Sequence, residues 1–247
     1  MKFMGSKSKI AKHIIPIITK NIGDRTYVEP FAGGMNVVDK INVSGRVIAA
    51  DIHPQLISMW NALQSGWIPP ASVSRDDYYR CKDGHESRYM VGWVGFNASY
   101  CGRYFEGYAG QVETKTGLVR DYYDEARRNV LTQIESLKKV EFINSSYLDL
   151  DIPNNSVIYC DPPYKATKKY RYNIDHEQFW QWAREKSVNN DVYISEYEAP
   201  PDFVCVWQKE VSSSLRANGV ISGAKSNIER LFVHESKLVE GNADGNS

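Results

Sequence analysis

The sequence predicts an α/β protein, built on a mostly parallel sheet with helices on both faces and interrupted by a small inserted subdomain. Three observations carry this prediction. Short apolar runs rich in β-branched and aromatic residues recur along the chain, helical patterns lie between many of them, and one long stretch breaks the alternation. The runs at 27–31, 46–51, 140–144, 156–161, 191–197 and 203–211 read as buried strands, with 230–234 as a last strand. The helical pattern over 7–21 puts Ile10, Ile14, Ile17 and Ile18 on one side, with Pro16 as a potential kink and Gly23 as a stop. Over 121–137, Tyr123, Ala126, Val130, Ile134 and Leu137 recur at spacings of three and four. Asp175 is placed to cap a helix that carries Phe179, Trp182 and Ala183, with Gln178 three residues on.

The stretch from about 66 to 120 is rich in Tyr, Gly and charge, and it crowds Trp93, Phe96, Tyr100, Tyr104, Phe105 and Tyr108 together. It is expected to be the inserted subdomain, flanked by a main domain over 1–65 and 121–240. A small polar tail at 241–247 is expected to be flexible.

Composition narrows the function classes. The formal net charge is zero, which argues weakly against a nucleic-acid partner, but the charges are unevenly spread. Lys2, Lys7, Lys9 and Lys12 make the N-terminal region basic, and Lys165, Lys168, Lys169 and Arg171 are interleaved with Tyr164, Tyr170 and Tyr172. The four cysteines are widely spaced with no CxxC pair, so neither a zinc site nor a disulfide framework is expected. The chain shows no apolar signal core and no run suited to a bilayer, so the expectation is a soluble, cytoplasmic protein without metal or membrane.

Three constellations point to chemistry. In Tyr27-Val28-Glu29-Pro30-Phe31-Ala32-Gly33-Gly34, an apolar strand runs into a small-residue turn at the carboxyl edge of the predicted sheet. Doubly wound sheets bind cofactors there, and glycine allows close approach of the backbone. The spacing is not GxGxxG, and a tight turn without any ligand is the alternative. Asp51 closes the next strand, about 20 residues on, where an acid can accept hydrogen bonds from both ribose hydroxyls of a nucleoside. Taken by itself, it could also be a helix cap or a surface acid.

The third constellation is Ser156-Val157-Ile158-Tyr159-Cys160-Asp161-Pro162-Pro163-Tyr164. Two prolines stiffen the turn and remove two backbone donors. The Asp161 carboxylate and the Pro162 carbonyl can then both accept from one –NH2 group, while Tyr164 offers a flat face to a planar ring. Acceptors without competing donors beside a stacking surface suit an aromatic amine swung out of a helix. A rigid turn with a surface tyrosine is the plain alternative.

The motif Asp161-Pro162-Pro163-Tyr164 after a hydrophobic strand looks like that of amino-methyltransferases. The order of parts narrows the likeness: Phe3-Met4-Gly5-Ser6-Lys7, then 29–34, then the insert, then 161–164. This order resembles the Dam-like adenine-specific DNA methyltransferases, especially small phage or prophage members. The insert segment from Phe96 to Phe105, Ser195-Glu196-Tyr197 and Ala199-Pro200 fit it as well. The resemblance implies a Rossmann-like fold that uses S-adenosylmethionine, yields S-adenosylhomocysteine and acts on double-stranded DNA as a monomer. By the same likeness, Phe3 and Lys7 contact the cofactor, with Lys7 near its carboxylate. Glu29, Pro30, Phe31 and Gly33 line the methionine end, Asp51 takes the ribose, and Ser146 and Tyr147 lie near the cofactor adenine. Asp161, Pro162 and Tyr164 hold the target base, with Asp161 also bordering the cofactor. Lys9, Asn97, Tyr100, Arg103, Lys165, Lys168, Lys169 and Arg171 are the expected DNA contacts. Met35 departs from the pattern, since a third small residue is common there.

Two rival functions remain open. The same corner serves cytosine, RNA or a protein glutamine as amine acceptor, although the resemblance ties Asp at 161 to adenine. A non-enzymatic nucleic-acid-binding descendant predicts a lost acid, whereas Asp51 and Asp161 are both present.

Overall fold

The computed structural model describes residues 1–113, 116–164, 174–212 and 226–240. The expected tail 241–247 and the basic residues Lys165, Lys168, Lys169 and Arg171 lie outside that set. The architecture is a seven-stranded sheet in the order β5-β2-β1-β6-β7-β9-β8. Its strands are β1 (Tyr27–Glu29), β2 (Val47–Asp51), β5 (Val140–Asn144), β6 (Val157–Cys160), β7 (Asp191–Glu196), β8 (Phe203–Ser212) and β9 (Ser226–His234). The first five of these in sheet order run parallel, and β9 lies antiparallel to both β7 and β8.

Alternation of the strand side chains divides the core in two. Tyr27, Ala49, Phe142, Val157 and Tyr159 face one side, where they pack with helices α1 (Ala11–Ile18), α2 (Pro54–Gln64), α4 (Arg88–Asn97) and α5 (Tyr122–Ser136). Val28, Ile48, Ala50, Ile158 and Cys160 face the other, against Phe179, Trp182 and Ala183 of α6 (His176–Ser187). Burial on both faces explains the nearly continuous apolar runs of β1 and β6.

The predicted strands all appear, with edges moved by local chemistry. β1 stops at Glu29 because Pro30 has no N–H to continue the ladder. β9 begins at Ser226, ahead of the expected 230, because its polar N-terminal half pairs with β8. The first helix is shorter than the pattern over 7–21 and runs through Pro16. Asp121 and Asp175 cap α5 and α6, accepting from Asp124 N at 2.9 Å and from Glu177 N and Gln178 N at 2.9 and 3.1 Å.

The stretch 66–120 contributes α3 (Arg75–Lys82), α4 and the antiparallel pair β3 (Gln111–Glu113) and β4 (Val119–Asp121). Trp93, Val94 and Phe96 of α4 are buried in the same core as α2 and α5, and Trp93 Nε1 donates to Tyr123 Oη at 2.9 Å. Close approach of α4 to α2 requires Gly92, where a Cβ would stand 2.1 Å from the carbonyl oxygen of Gln55. Among the described residues, no helix is long and apolar enough to cross a membrane.

Candidate active site

The parallel strands deliver their carboxyl ends to one edge of the sheet. β1 is the neighbour of both β2 and β6, so the chain segments after these three strands meet there. They open onto a cavity of about 1340 Å³ lined by Phe3, Lys7, Glu29, Pro30, Phe31, Gly33, Asp51, Ser146, Tyr147, Asp161, Pro162 and Tyr164. Every residue expected to hold a cofactor or a target amine thus borders one chamber. Lys9 and Arg103 line it too.

Three buried or half-buried acids define its electrostatics. Glu29 is 3% exposed, and its Oε1 accepts from Tyr27 Oη at 2.7 Å. Burial pushes its carboxyl up to about 8, against the lowering effect of that hydrogen bond. Asp51 accepts from Gly33 N at 3.0 Å through Oδ2 and from His53 N at 2.8 Å through Oδ1. Desolvation lifts its carboxyl to about 6 in spite of both bonds. The Asp51–Gly33 bond ties the glycine turn to the end of β2, and Gly33 sits there at φ +49°. Two residues on, Met35 adopts φ 57° with its side chain fully buried, and Gln133 Nε2 donates to the carbonyls of Gly34 and Met35 at 3.0 Å each. A brace from α5 therefore holds the turn where a third small residue was expected.

Asp161 is the third acid. Its Oδ1 lies 3.0 Å from Lys7 Nζ, and the same ammonium stands 3.7 Å from Glu229 Oε2 and donates to the Gly5 carbonyl at 3.2 Å. Lys7 also lies over the Tyr164 ring, 4.4 Å from its centroid. Burial raises the Asp161 carboxyl to about 6, with Lys7 opposing and Glu229 reinforcing the rise. The ammonium expected beside a cofactor carboxylate is thus engaged by protein acids and an aromatic face. Tyr164 Oη donates to Glu229 Oε2 at 3.0 Å, and its ring meets Tyr197 edge-on at 4.5 Å.

Aromatic packing walls the other end. Phe31 lies 5.2 Å from Tyr147 and 5.7 Å from Phe179, and Tyr147 Oη has no hydrogen-bond partner among the described residues. Ser146 Oγ donates to Asp149 Oδ2 at 2.6 Å. Phe3 packs on Phe96, 5.5 Å between centroids, and covers the glycine turn.

Two expected DNA contacts fall outside the cavity. Asn97 is only 4% exposed, and its amide donates to Trp93 O at 3.2 Å. It is part of the α4 packing, and its burial keeps it from a surface. Tyr100 is exposed, while half-buried Arg103 pairs with Glu106 at 3.5 Å. The structure also brings in residues to which the sequence had given no role. Glu229 contacts Tyr164 and Lys7, and buried Glu196 at the end of β7 has its carboxyl raised to about 7 by desolvation. Glu196 Oε1 accepts from Tyr197 N at 2.8 Å, and its Oε2 has no partner among the described residues.

Comparisons with known proteins bear on this chamber. Residues 3–83 match the family model described as D12 class N6 adenine-specific DNA methyltransferase. The type II methyltransferase M.FokI of Planomicrobium okeanokoites is 23% identical over 214 residues, covering 76% of this chain and 32% of that protein. The modification methylase StsI of Streptococcus sanguinis is 25% identical over 225 residues, covering 80% and 33%. The chain therefore spans about a third of the length of these relatives. A solved rRNA methyltransferase, aviRa from Streptomyces viridochromogenes, aligns at 8% identity with a TM-score of 0.43, over 97% of this chain and 89% of that one. Over residues 3–83, the stretch that carries Lys7, the glycine turn and Asp51, this chain matches the D12 class of N6 adenine-specific DNA methyltransferases, in keeping with the resemblance its motifs carry.

Proposed function

We propose that the chain is the catalytic part of a DNA methyltransferase that moves a methyl group from S-adenosylmethionine to the exocyclic amine of an adenine turned out of duplex DNA. The observation that carries this reading is the shared chamber: the rigid corner 161–164 and the acidic turn 29–34 face the same space, beside Asp51.

The residues present fit the cofactor. Glu29 is a buried acid with a raised pKa that a cationic amino group would return to its charged form. An ionised Asp51 has about four acceptor positions, two of which are taken by Gly33 and His53, leaving room for ribose hydroxyls. Phe31 and Tyr147 offer flat faces to an adenine, and the unpartnered Tyr147 hydroxyl offers a polar group. When bound, S-adenosylmethionine supplies an electrophilic methyl on a sulfonium.

The chain supplies the rest. Adenine's amine is a poor nucleophile because its lone pair is delocalised into the ring. Asp161 and the Pro162 carbonyl accept its two hydrogens, drawing the nitrogen toward a pyramidal form with an exposed lone pair. Holding it in line at roughly 3–3.5 Å accounts for much of the rate. Asp161 takes up the proton that the amine loses on methylation. Tyr164 stacks under the purine and offsets part of the few kcal/mol that base flipping costs. Lys7 must first leave the Asp161 carboxylate. Lys9, Tyr100 and Arg103, with the basic cluster Lys165, Lys168, Lys169 and Arg171, are the proposed DNA contacts, while buried Asn97 is not. The segment 66–120 is proposed as the target-recognition part and 1–65 with 121–240 as the catalytic part of a cytoplasmic protein, monomeric in solution. The name of one relative, the modification methylase StsI, favours a role in modification.

The test is expression in a host without adenine methylation, followed by nucleoside mass analysis and modified-base sequencing. N6-methyladenine at a defined site is expected, and it should vanish with Asp161→Ala while the melting temperature is kept. Methylcytosine, methylated RNA, methylated protein, or transfer retained by Asp161→Ala would defeat the assignment.

A further inference from the structure

Glu229 belongs to none of the sequence motifs. It lies on β9, which reaches the chamber from the antiparallel side of the sheet, and its side chain is 15% exposed. Its Oε2 bears on Tyr164 of the corner and on Lys7 beside it, accepting from Tyr164 Oη at 3.0 Å and standing 3.7 Å from Lys7 Nζ. Building on the proposed function, we infer that Glu229 is a positioning residue for methyl transfer: it fixes the Tyr164 ring beside Asp161 and gives Lys7 a second counter-ion, so that Asp161 is freed for the target amine.

A tyrosine side chain on a loop has two free rotors, and a bond from its hydroxyl to a carboxylate is charge-assisted and directional. Here that bond comes from a strand. β9 also braces the neighbouring wall, because Arg230 Nη1 donates to the carbonyl of Tyr197, whose ring meets Tyr164 edge-on. β9 is in turn fixed on β7 by the pairing of Glu196 with Arg230.

Lys7 is held by charge. Its side chain is 5% exposed, so an ammonium that left Asp161 without another anion nearby would bear a heavy desolvation cost. Glu229 already stands within reach, and a short swing of Nζ exchanges one carboxylate for the other. Glu29 acts on Asp161 through space, and Glu196 on Asp161, Lys7 and Glu229; Glu29 accepts a hydrogen bond from Tyr27 Oη and Glu196 one from Tyr197 N, whereas Glu229 Oε2 lies within ion-pair distance of Lys7 and accepts from Tyr164.

Four variants separate the two roles: Glu229→Ala, Glu229→Gln, Tyr164→Phe and the double Tyr164→Phe/Glu229→Ala. Single-turnover methyl transfer to duplex DNA, S-adenosylmethionine affinity by calorimetry and melting temperature are measured on each. Glu229→Ala should lower the transfer rate by about tenfold or more with cofactor affinity kept within about twofold. Glu229→Gln keeps an acceptor for the Tyr164 hydroxyl and loses the charge for Lys7, so it should fall between Glu229→Ala and the unsubstituted protein. The double variant should be no more than about threefold slower than Glu229→Ala alone, because both changes break one bond. Wild-type transfer by Glu229→Ala, additive losses in the double, or equal loss of rate, affinity and stability in Ala and Gln would overturn the inference. If the unsubstituted protein transfers nothing to DNA adenine, this inference falls together with the proposed function. If it transfers normally and Glu229→Ala matches it, this inference falls alone.

Discussion

Lys7 Nζ stands 3.0 Å from Asp161 Oδ1, so the acid at the centre of the corner already holds a cation through its carboxylate. Desolvation lifts the Asp161 carboxyl to about 6, and Lys7 is the main influence holding it down. Asp161 must be ionised to accept from an amine, so transfer should fail as the pH drops through that value. Lys7→Met removes the opposing charge. The acidic limb of the pH–rate profile should then move upward, by about one pH unit or more. An unmoved limb in the pH dependence of kcat/KM, which reports the free protein where Lys7 holds Asp161, would show that Asp161 is not the group being titrated.

Glu29 ties cofactor binding to stability. Its carboxyl sits near 8 in the folded protein against 4.5 ordinarily, so between these values the folded state binds more protons than the unfolded. Stability therefore falls as the pH rises across that window. Glu29→Gln removes the effect. Its melting temperature should exceed that of the unsubstituted protein increasingly from pH 5 to pH 8, by roughly 2–4 °C for each kcal/mol recovered. The same variant should lose S-adenosylmethionine binding at all pH values. In the unsubstituted protein, binding should tighten toward pH 8 with proton release below it, as calorimetry in two buffers of different ionisation enthalpy can show.

Asp51→Asn tests the end of β2. The carboxylate now accepts from Gly33 N and His53 N through separate oxygens, whereas an amide has one acceptor and one donor group. One of the two N–H groups must lose its partner. The expected cost is about 1 kcal/mol or more in denaturant unfolding, with cofactor affinity weakened by about tenfold. Unchanged affinity would remove Asp51 from the binding site.

Gly92→Ala tests the packing of α4 on α2. The added Cβ would meet the Gln55 carbonyl at 2.1 Å, and a backbone atom cannot rotate away. The two helices must part, which should cost about 1–3 kcal/mol. An unchanged unfolding midpoint would mean that the helices have slack at this contact.

Much of this arrangement was legible in the sequence because its signals are local. The apolar runs that became β1, β2 and β6 are buried on both faces, so composition alone marks them. Asp51 ends β2 and Asp161 directly follows β6, and the carboxyl ends of parallel strands point to one edge. What the sequence hid depends on long-range pairing. Glu229 sits in a polar half-strand that pairs with β8, and nothing within a few residues of it announces Tyr164, 65 positions away. Gln133 reads as the polar face of a helix, yet it is 6% exposed and holds the Gly34–Met35 turn. Asn97 was expected to contact DNA because it lies in the insert segment 96–105 that fits the resemblance, which says nothing of its burial. Helix periodicity over Arg88–Asn97 was obscured by two glycines, which let α4 sink into the core.

The pairing of β1 with β6, Tyr27 beside Val157 and Val28 beside Ile158, also sets the phase of the chamber. Glu29 and Tyr159 project to the same side as Tyr27 and Val157, and Asp161 follows Tyr159 by one more period. A slip of β6 by one residue against β1 would leave every motif readable and the strand no less apolar. It would, however, throw the two acids out of step onto opposite sides of the sheet. Such a chain would pass any inspection of its motifs and have no place to bring a donor and an acceptor together.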